Sequence, residues 1–422
     1  MLIKGKSWIM KELRLLFAGL GMIMVSTEAC SAASVFVCDG KTDNTLSLQK
    51  VINELVKSGE ILEIHGNCVV DSLFIPSHSH ITGSGNASIT ESKASKRYLI
   101  NLQGGIRDTI IENLTFDNAN APLTGSSTIY MPAGGRAIGL SIINNRFINI
   151  PKYETTKNQA GHAIELTGSN STFIEKNIIE QSSGDTIQVN DGYFIVRDNY
   201  VANSGDGCIA FNNGARGQIL GNTLYKCNLG VGAGPEGSQS DKDINQSISI
   251  SNNIFESCLW GINMGWFAYP GRSGPVNWQV SGNTFRDSGK RGVEYDGYSD
   301  KALVNGTISG NSFYGTGSSA YDGVTYDGKD VVLNNSSVIS ITGNTILNPK
   351  GIEKSQIAIK INNSRYFSVN GNVIYDEYGK YKYYIDASNS KFGNIVGNTT
   401  SSLKGGVLTN DKSIIKIANV PS

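Results

Sequence analysis

Short apolar phrases return at irregular intervals along the chain. From about residue 110, a phrase of the form apolar-x-x-Asn-x-apolar is followed by a turn and then by a phrase of the form Gly-apolar-x-apolar. The asparagines of the first phrase lie 22 to 33 residues apart, at Asn145, Asn177, Asn199, Asn222, Asn253, Asn283, Asn311, Asn344, Asn372 and Asn398. Phrases of strand length with this period predict a solenoid of stacked β-strand coils with loops of variable length.

The repeated asparagine has a structural explanation. Asparagine tolerates the left-handed backbone of a tight bend, and stacked side-chain amides can hydrogen-bond from coil to coil. We therefore predict an asparagine ladder at one corner of the coil. Glycosylation of Asn113 or Asn398, which both stand in Asn-x-Thr contexts, is the weaker alternative.

The second phrase predicts which residues point outward. Strand alternation places its first and third members inward and its middle member on the outer face. The predicted outer row is Glu165, Gln188, Ala210, Gly232, Asn263, Glu294 and Thr325. Adjacent coils lie about 4.8 Å apart, so this row extends along the length of one sheet.

The N-terminus has the pattern of a secretory signal peptide. Basic residues precede an apolar run from Leu15 to Val25, and a small-residue stretch ends at Ala33. The run is too short to span a membrane; Met10 is an alternative start, and lipidation of Cys30 is a weaker alternative. We predict removal of residues 1–33 and a single domain over 34–422, secreted, periplasmic or at the cell surface, with an N-terminal cap over 34–80 and repeat coils over about 110–400.

An amphipathic helix is predicted inside the cap. It begins near Asp43 to Thr45, ends at Gly59, and places Leu48, Val51, Ile52, Leu55 and Val56 on one face. Such a helix can cover the open end of a solenoid.

The cysteines suggest disulfide bonds in an exported protein. Cys38 and Cys68 flank the predicted helix, and we expect them to pair. Cys227 and Cys258 each follow a ladder asparagine by five residues, which leaves open either a disulfide or an inward pair of thiols, with Cys208 left over.

Charge excludes some classes of partner. The 36 basic residues equal the 36 acidic residues, and the isoelectric point is about 6.9. Nucleic acid and a polybasic membrane contact are therefore excluded as expected partners. No metal site or cofactor is predicted, and the oligomeric state is open.

Three acids near the starts of the second phrases are the candidate catalytic residues: Glu165, Asp185 and Asp206. Inverting glycoside hydrolysis uses one carboxylic acid and one carboxylate roughly 6.5 to 9.5 Å apart. Glu165 and Asp206 are expected two coils apart, at about 9.6 Å, and Asp185 on the coil between them. The alternative is that an Asp after Gly caps a turn.

Further residues along the predicted row are candidates for substrate binding. They are His162, Gln188, Asn212, Asn263, Trp266, Arg291 and Glu294. Glu294 and Asp296 form a second acidic site, for which a solvated strand face is the alternative. Insertions at 151–160, 235–246 and 266–277 are expected to wall this face, because long solenoid loops often carry function.

Two stretches resemble a known group of enzymes. Cys38-Asp-Gly-Lys-Thr-Asp-Asn-Thr45 followed by a helix resembles the opening of pectin-lyase-like right-handed parallel β-helix proteins, including polygalacturonases and phage tailspike depolymerases. Ser183-Gly-Asp185-Thr-Ile and Gly205-Asp206-Gly207-Cys208-Ile-Ala resemble the polygalacturonase motifs Asn-Thr-Asp and Asp-Asp-Cys-Ile-Ala. The resemblance implies an all-β parallel helix, Asp206 as general acid and Asp185 as activator of water. Gly207 and Leu229-Gly230-Val231 depart from the family pattern, and the later Arg-Ile-Lys is missing.

The leading hypothesis is a secreted polysaccharide-cleaving enzyme, an inverting glycoside hydrolase. A lyase or uronate epimerase is the first alternative; it would use a base such as His162 or Arg291 and possible Ca²⁺. The second alternative is a surface protein that binds exopolysaccharide without catalysis.

Overall fold

The computed structural model stacks short parallel strands into three long sheets. It describes residues 2–4, 33–92, 98–102, 104–119, 127–132, 134–150, 161–212, 214–234, 247–265, 276–297, 304–317, 329–349, 357–377, 379, 381–401, 406–417 and 420–421. Each coil visits sheet 1, sheet 2 and sheet 3 in turn, and each strand pairs with the equivalent strands of the preceding and following coils. The predicted all-β solenoid is confirmed.

Sheet 1 follows the second sequence phrase. Its strands are Leu73–Ile75, Ile100–Leu102, Ile129–Met131, the first halves of Ile164–Glu175 and Ile187–Arg197, Gly207–Asn212, Leu229–Gly234, Trp260–Met264, Arg291–Asp296, Lys329–Asn334, Ile357–Asn362, Tyr383–Asp386 and Gly406–Leu408.

Sheet 2 precedes the ladder asparagines. Its strands are Ala33–Val37, the first halves of Ile61–Val70 and His80–Glu91, Arg107–Glu112, Ala137–Ile143, the second halves of Ile164–Glu175 and Ile187–Arg197, Arg216–Leu220, Ser247–Ser251, Asn277–Ser281, Asn305–Ser309, Ser337–Thr342, Arg365–Asn370, Lys391–Val396 and Ile415–Ile417. Leu2–Lys4 pairs with Ala33–Val37 and is antiparallel.

Sheet 3 follows the ladder. Its strands are the second halves of Ile61–Val70 and His80–Glu91, then Thr115–Asp117, Arg146–Ile148, Ile178–Ile179, Tyr200–Ala202, Thr223–Tyr225, Ile254–Glu256, Thr284–Arg286, Ser312–Tyr314, Thr345–Asn348, Val373–Asp376, Thr399–Thr400 and Val420–Pro421.

The inward side chains of all three sheets form one continuous apolar core. Like residues stack on successive coils: the rings of Phe255, Phe285 and Phe313 are fully buried, with neighbouring centroids 4.7 Å apart. Because the coils repeat at strand spacing, a large residue at one level packs on its counterpart at the next.

The asparagine ladder is confirmed at the corner between sheets 2 and 3. The ten asparagines are at most 2% exposed, and each amide from Asn145 to Asn372 donates to the Oδ1 of the next asparagine, at 2.9 to 3.2 Å. The left-handed residue of the bend is the one before the asparagine, for example Asp198 with φ 56° and Asn252 with φ 55°. The ladder asparagine itself therefore supplies hydrogen bonds, and its neighbour makes the bend.

The predicted cap helix is confirmed as Thr45–Ser58, ending at Gly59 with φ 68°. Asp43 Oδ1 accepts hydrogen bonds from the backbone N–H and the hydroxyl of Thr45, at 2.9 and 2.6 Å. Leu48, Val51, Ile52 and Leu55 are buried against the first coils.

One predicted disulfide is confirmed and another expectation is wrong. Cys38 pairs with Cys68, with a Cα–Cα distance of 5.0 Å. Cys227 pairs with Cys208 and not with Cys258, at a Cα–Cα distance of 5.7 Å. Cys208 begins a sheet 1 strand and Cys227 lies in the turn entering the next one, so both point into the same corner. Cys258 is buried as a free thiol, and burial raises its pKa to about 12.

The described residues contain no helix long and apolar enough to cross a membrane. Of the predicted signal peptide, residues 1 and 5–32 lie outside the described residues, as does Cys30.

Candidate functional site

The outer face of sheet 1 carries the predicted row in the predicted order. Glu165, Gln188, Ala210, Gly232, Asn263 and Glu294 pair successively across six coils. We call this the central row. The expectation for Thr325 is wrong, because Glu294 pairs with Val332; Thr325 lies outside the described residues.

A second outward row lies three residues earlier, where each chain enters sheet 1. Gly207, Leu229, Trp260, Arg291 and Lys329 pair successively in this entry row, and Asp185 stands level with Gly207. The intervening position faces the core, since a Cβ on Gly230 would lie 2.5 Å from a ring carbon of Phe255. A bend at the strand start thus leaves both rows facing outward.

An upstream cluster comprises His162, Glu165, Asp185 and Gln188. The Asp185 carboxylate accepts a hydrogen bond from the Gly207 N–H, at 2.8 Å. The Nδ1 of His162 lies 2.5 Å from the Asp185 carbonyl oxygen, and the hydroxyl of Ser127 donates to Glu165. His162, Glu165 and Asp185 are half-buried, and Gln188 is buried.

The register corrects the expected spacing around Asp206. Asp206 lies one residue before the position level with Asp185, and four residues before Ala210, which stands in the row of Glu165. The expected separation of about 9.6 Å between Glu165 and Asp206 allowed for the two coils between them, and the register adds this displacement along the strand. Asp185 and Asp206 remain on adjacent coils, and their predicted catalytic roles stay predictions.

A downstream cluster comprises Trp260, Asn263, Arg291, Glu294 and Asp296. The Trp260 Nε1–H donates to Glu294 Oε2 at 2.7 Å, and Arg291 Nε lies 3.9 Å from Glu294 Oε1. Arg291 also donates to the carbonyl oxygen of Lys290, at 2.9 Å. The side chains of Arg291 and Glu294 are only 8% and 15% exposed, so these contacts hold the Glu294 carboxylate in one place.

Asp296 stands two residues beyond Glu294 on the same outward side of the strand. Burial raises the pKa of Asp296 to about 6, and the negative charge of Glu294 adds to the rise. The amide of Asn334 donates to Asp296 Oδ1 at 2.6 Å, which offsets part of the effect. Asp296 therefore holds its proton to a higher pH than an ordinary aspartic acid.

The amide of Asn263 is buried and unsatisfied. Asn263 is 1% exposed, and neither its nitrogen nor its oxygen has a hydrogen-bond partner in the described part of the chain. It lies in the central row directly beside Glu294. A buried amide without partners costs free energy, so it marks a place where a hydrogen-bonding ligand fits.

The remaining predicted binding residues, Asn212 and Trp266, belong to neither cluster. Asn212 is buried and stands level with Gly234, between the clusters. Trp266 lies outside the described residues, as do 151–160, 235–246 and 266–275 of the predicted walls. Trp278 packs inward on Tyr295, with ring centroids 5.1 Å apart.

Some contact residues escaped the sequence reading. Lys290 Nζ lies 4.3 Å from the centroid of the Trp260 ring, and Lys329 follows Arg291 in the entry row. Their positions could have indicated them, because Lys290 directly precedes a sheet 1 strand and Lys329 begins one. The entry row, which contains Lys329 and adjoins Lys290, became visible only with the bend that turns it outward.

The fold relates this chain to known proteins. The family model described as "Right handed beta helix region" matches residues 127–313. Gene product 12 of bacteriophage phi29 in its pre-mature form aligns with 90% of this chain and 55% of its own, at 14% identity and a TM-score of 0.67. This chain thus spans little more than half of that protein.

Two other solved structures are also similar. The Dettilon tailspike protein aligns over 91% of this chain and 68% of its own, at 16% identity and a TM-score of 0.57. The A-module of mannuronan C-5 epimerase AlgE6 from Azotobacter vinelandii aligns over 91% and 96%, at 13% identity and a TM-score of 0.51. No curated protein matches the sequence. The predicted right-handed parallel β-helix fold is confirmed.

Proposed function

We propose that this protein hydrolyses a polysaccharide bound along the outer face of sheet 1. The observation that supports this is a single outward face bearing carboxylates at both ends and small residues between them. From Glu165 to Glu294 the central row crosses five coil spacings, or about 24 Å. Ala210 and Gly232 lie between, so a sugar chain can approach the backbone there.

The reaction needs two carboxyl groups in different protonation states. One gives a proton to the glycosidic oxygen, and the other takes a proton from the attacking water. The sequence assigns these steps to Glu165, Asp185 and Asp206. All three belong to or adjoin the upstream cluster, and they remain candidates for the catalytic acids.

The choice of a polysaccharide as ligand is supported by the comparisons. One similar structure is named as a mannuronan epimerase, and mannuronan is a polysaccharide. The side chains on this face suit a hydroxyl-rich ligand, because amides and carboxylates stand in the central row and the Trp260 indole lies beside Glu294.

Epimerisation and elimination receive less support from the site. Both need a base beside a cation that neutralises the sugar carboxylate. His162 and Arg291 are five coils apart in the entry row, or about 24 Å, so they do not meet on one sugar. We rank hydrolysis first for this reason.

The test is a panel of dextran, xylan, polygalacturonate, alginate and chitosan, assayed for new reducing ends and for ultraviolet absorbance. Hydrolysis is expected to release reducing ends without unsaturated product. Binding to a member of the panel without cleavage of any member would instead indicate a non-catalytic glycan-binding protein. An absorbing product would indicate a lyase.

We also propose that the protein is exported after removal of residues 1–33. Its support is the pair of disulfides, Cys38–Cys68 and Cys208–Cys227, since disulfides persist in oxidising compartments. N-terminal sequencing of protein recovered from outside the cytoplasm should begin near Ser34. Recovery of uncleaved protein in the cytoplasm would contradict the proposal.

A further inference from the structure

We propose that the bond is cleaved at the downstream cluster, with Asp296 as general acid and Glu294 as the base that activates water. This inference rests on the proposed function and names the residues that perform it. It relocates the chemistry from the motif-like upstream acids to a pair that the sequence marked only as a second acidic site.

The placement of the two acidic residues on one face of one strand fits the reaction. Glu294 and Asp296 alternate with the inward Tyr295 on one strand, so their Cα atoms lie about 6.6 Å apart on one face. Two carboxyl groups carried on side chains that start this far apart can reach the separation of roughly 6.5 to 9.5 Å that inverting enzymes use to hold one water between them.

The surroundings of the two groups divide the roles. Glu294 accepts a hydrogen bond from Trp260 and has the Arg291 guanidinium beside it, contacts that suit a carboxylate taking a proton from water. Asp296 is half-buried, and burial raises its pKa to about 6. It is thus the better proton donor near neutral pH.

Among the described residues, the charged groups facing Asp296 come from two strands. Glu294 and Arg291 share its own strand, while the following strand contributes Lys329 at the level of Arg291 and the neutral Asn334 beside Asp296. The preceding strand, Trp260–Met264, carries no titratable side chain. Glu294 raises the pKa of Asp296 and Arg291 lowers it.

Asn263 supplies an independent indication of a ligand. Its amide is buried, has no partner among the described residues, and adjoins Glu294 in the central row. One amide offers both donors and an acceptor, which matches a sugar hydroxyl that can accept and donate. We infer that Asn263 binds a hydroxyl of the sugar whose linkage is cut.

The chemical step is balanced by water alone. Asp296 gives its proton to the glycosidic oxygen as the bond from that oxygen to the anomeric carbon breaks. Water forms a new bond to the anomeric carbon and loses its proton to Glu294. The products are two shorter chains, and proton exchange with solvent returns Glu294 to carboxylate and Asp296 to acid.

The experiment compares Glu294→Gln and Asp296→Asn with wild type on the polysaccharide of the panel that wild type cleaves best. Each variant should lower kcat by at least 100-fold, within the range for loss of acid or base catalysis. The control is Glu256→Gln, which removes a half-buried carboxylate from the outer face of sheet 3 in the same part of the solenoid. It should leave kcat within twofold. Thermal unfolding of each variant checks that it folds.

Two readouts separate chemistry from structure. Glu294→Ala should regain activity with sodium azide and form a glycosyl azide detectable by mass spectrometry, because azide needs no base. The wild-type rate should fall as pH rises through about 6, and Asp296→Asn should lose that fall.

The outcomes distinguish the inference from the proposed function. If wild type cleaves a polysaccharide but Glu294→Gln and Asp296→Asn keep more than a tenth of the rate, the downstream assignment is wrong and hydrolysis stands. If wild type cleaves nothing in the panel, both are wrong. Loss of kcat with azide rescue supports both.

Discussion

The upstream and downstream clusters lie on the same outer face of sheet 1 but have different surroundings. In the upstream cluster, Asp185 is held by a backbone N–H and Glu165 by a serine hydroxyl. In the downstream cluster, Glu294 is held by an indole and a guanidinium, while Asp296 is kept protonated to higher pH. The upstream acids match a family motif, whereas the downstream acids have the chemical asymmetry that catalysis requires. The sequence motif therefore indicates the upstream cluster as the catalytic site, whereas the chemical environment indicates the downstream cluster.

The largest effect should separate the two clusters by activity. We expect Asp296→Asn to reduce kcat by at least 100-fold and Asp185→Asn to raise KM while changing kcat by less than about tenfold. The reason is that only the downstream acid reaches the cut linkage in our proposal. Steady-state kinetics on the cleaved polysaccharide measures both numbers. The reverse pattern would restore the upstream acids as catalysts.

The next largest effect tests whether the asparagine ladder stabilises the coils of both clusters equally. Asn199→Ala removes a ladder amide from the coil that carries Gln188 of the upstream cluster. Asn283→Ala removes one from the coil that carries Asn263 of the downstream cluster. Each leaves buried groups unsatisfied, so each should lower the free energy of unfolding by about 3 to 4 kcal/mol. Denaturant unfolding measures the loss. If the losses in unfolding free energy of the two variants differ by more than about 2 kcal/mol, the ladder does not stabilise the coils of both clusters equally.

The disulfide beside the upstream cluster should have a similar or slightly smaller effect. Cys208 and Cys227 are 19 residues apart in sequence, and closing a loop of this size stabilises a protein by about 3 kcal/mol. Replacing both with Ser should lower the unfolding free energy by that amount and leave kcat at the downstream cluster within about threefold. Replacing the free Cys258 with Ala is the control for loss of a buried sulfur. A loss of kcat in the double variant would contradict the expectation that catalysis at the downstream cluster does not depend on this disulfide.

The smallest effect concerns stability against pH. The pKa of Asp296 is about 6 in the folded protein and near 3.8 otherwise, so its folded form is favoured when protonated. Its contribution is fully present below pH 4 and is lost as pH rises through 6. Asp296→Asn should thus be more stable than wild type by about 2 to 3 kcal/mol at pH 7, and most of the gain should be gone at pH 4. Chemical unfolding at both pH values measures it; an equal difference at both would contradict the raised pKa.

The parts of the fold that the sequence predicted are those that follow from its repeated phrases. The asparagine ladder and the central row from Glu165 to Glu294 follow from phrases that repeat with strand alternation. Thr325 failed because Val324-Thr325-Tyr326 imitates the phrase shortly before the true strand, Lys329–Asn334. Pairing of Cys208 failed because spacing from the ladder ignores which corner a side chain enters.

The chemistry of the site was less predictable. Glu294 and Asp296 were visible as acids, but the burial that raises the pKa of Asp296 and the absence of partners for Asn263 among the described residues depend on neighbouring coils. Asp206 lay one residue from its expected level, and in a strand one residue reverses the side-chain direction. A sequence motif does not resolve such a displacement.

The ladder also gives the solenoid a direction. Its nine side-chain amide bonds all run from donor to acceptor toward the C-terminal coil, so their dipoles add head to tail. Each bond polarises the next, as in a chain of cooperative hydrogen bonds. The two ends are capped, because Leu114 N–H donates to Asn145 Oδ1 and Asn398 Nδ2 donates to Val369 O. The ladder is therefore a row of aligned dipoles along the solenoid axis, with its donor side toward the N-terminal coils and its acceptor side toward the C-terminal coils.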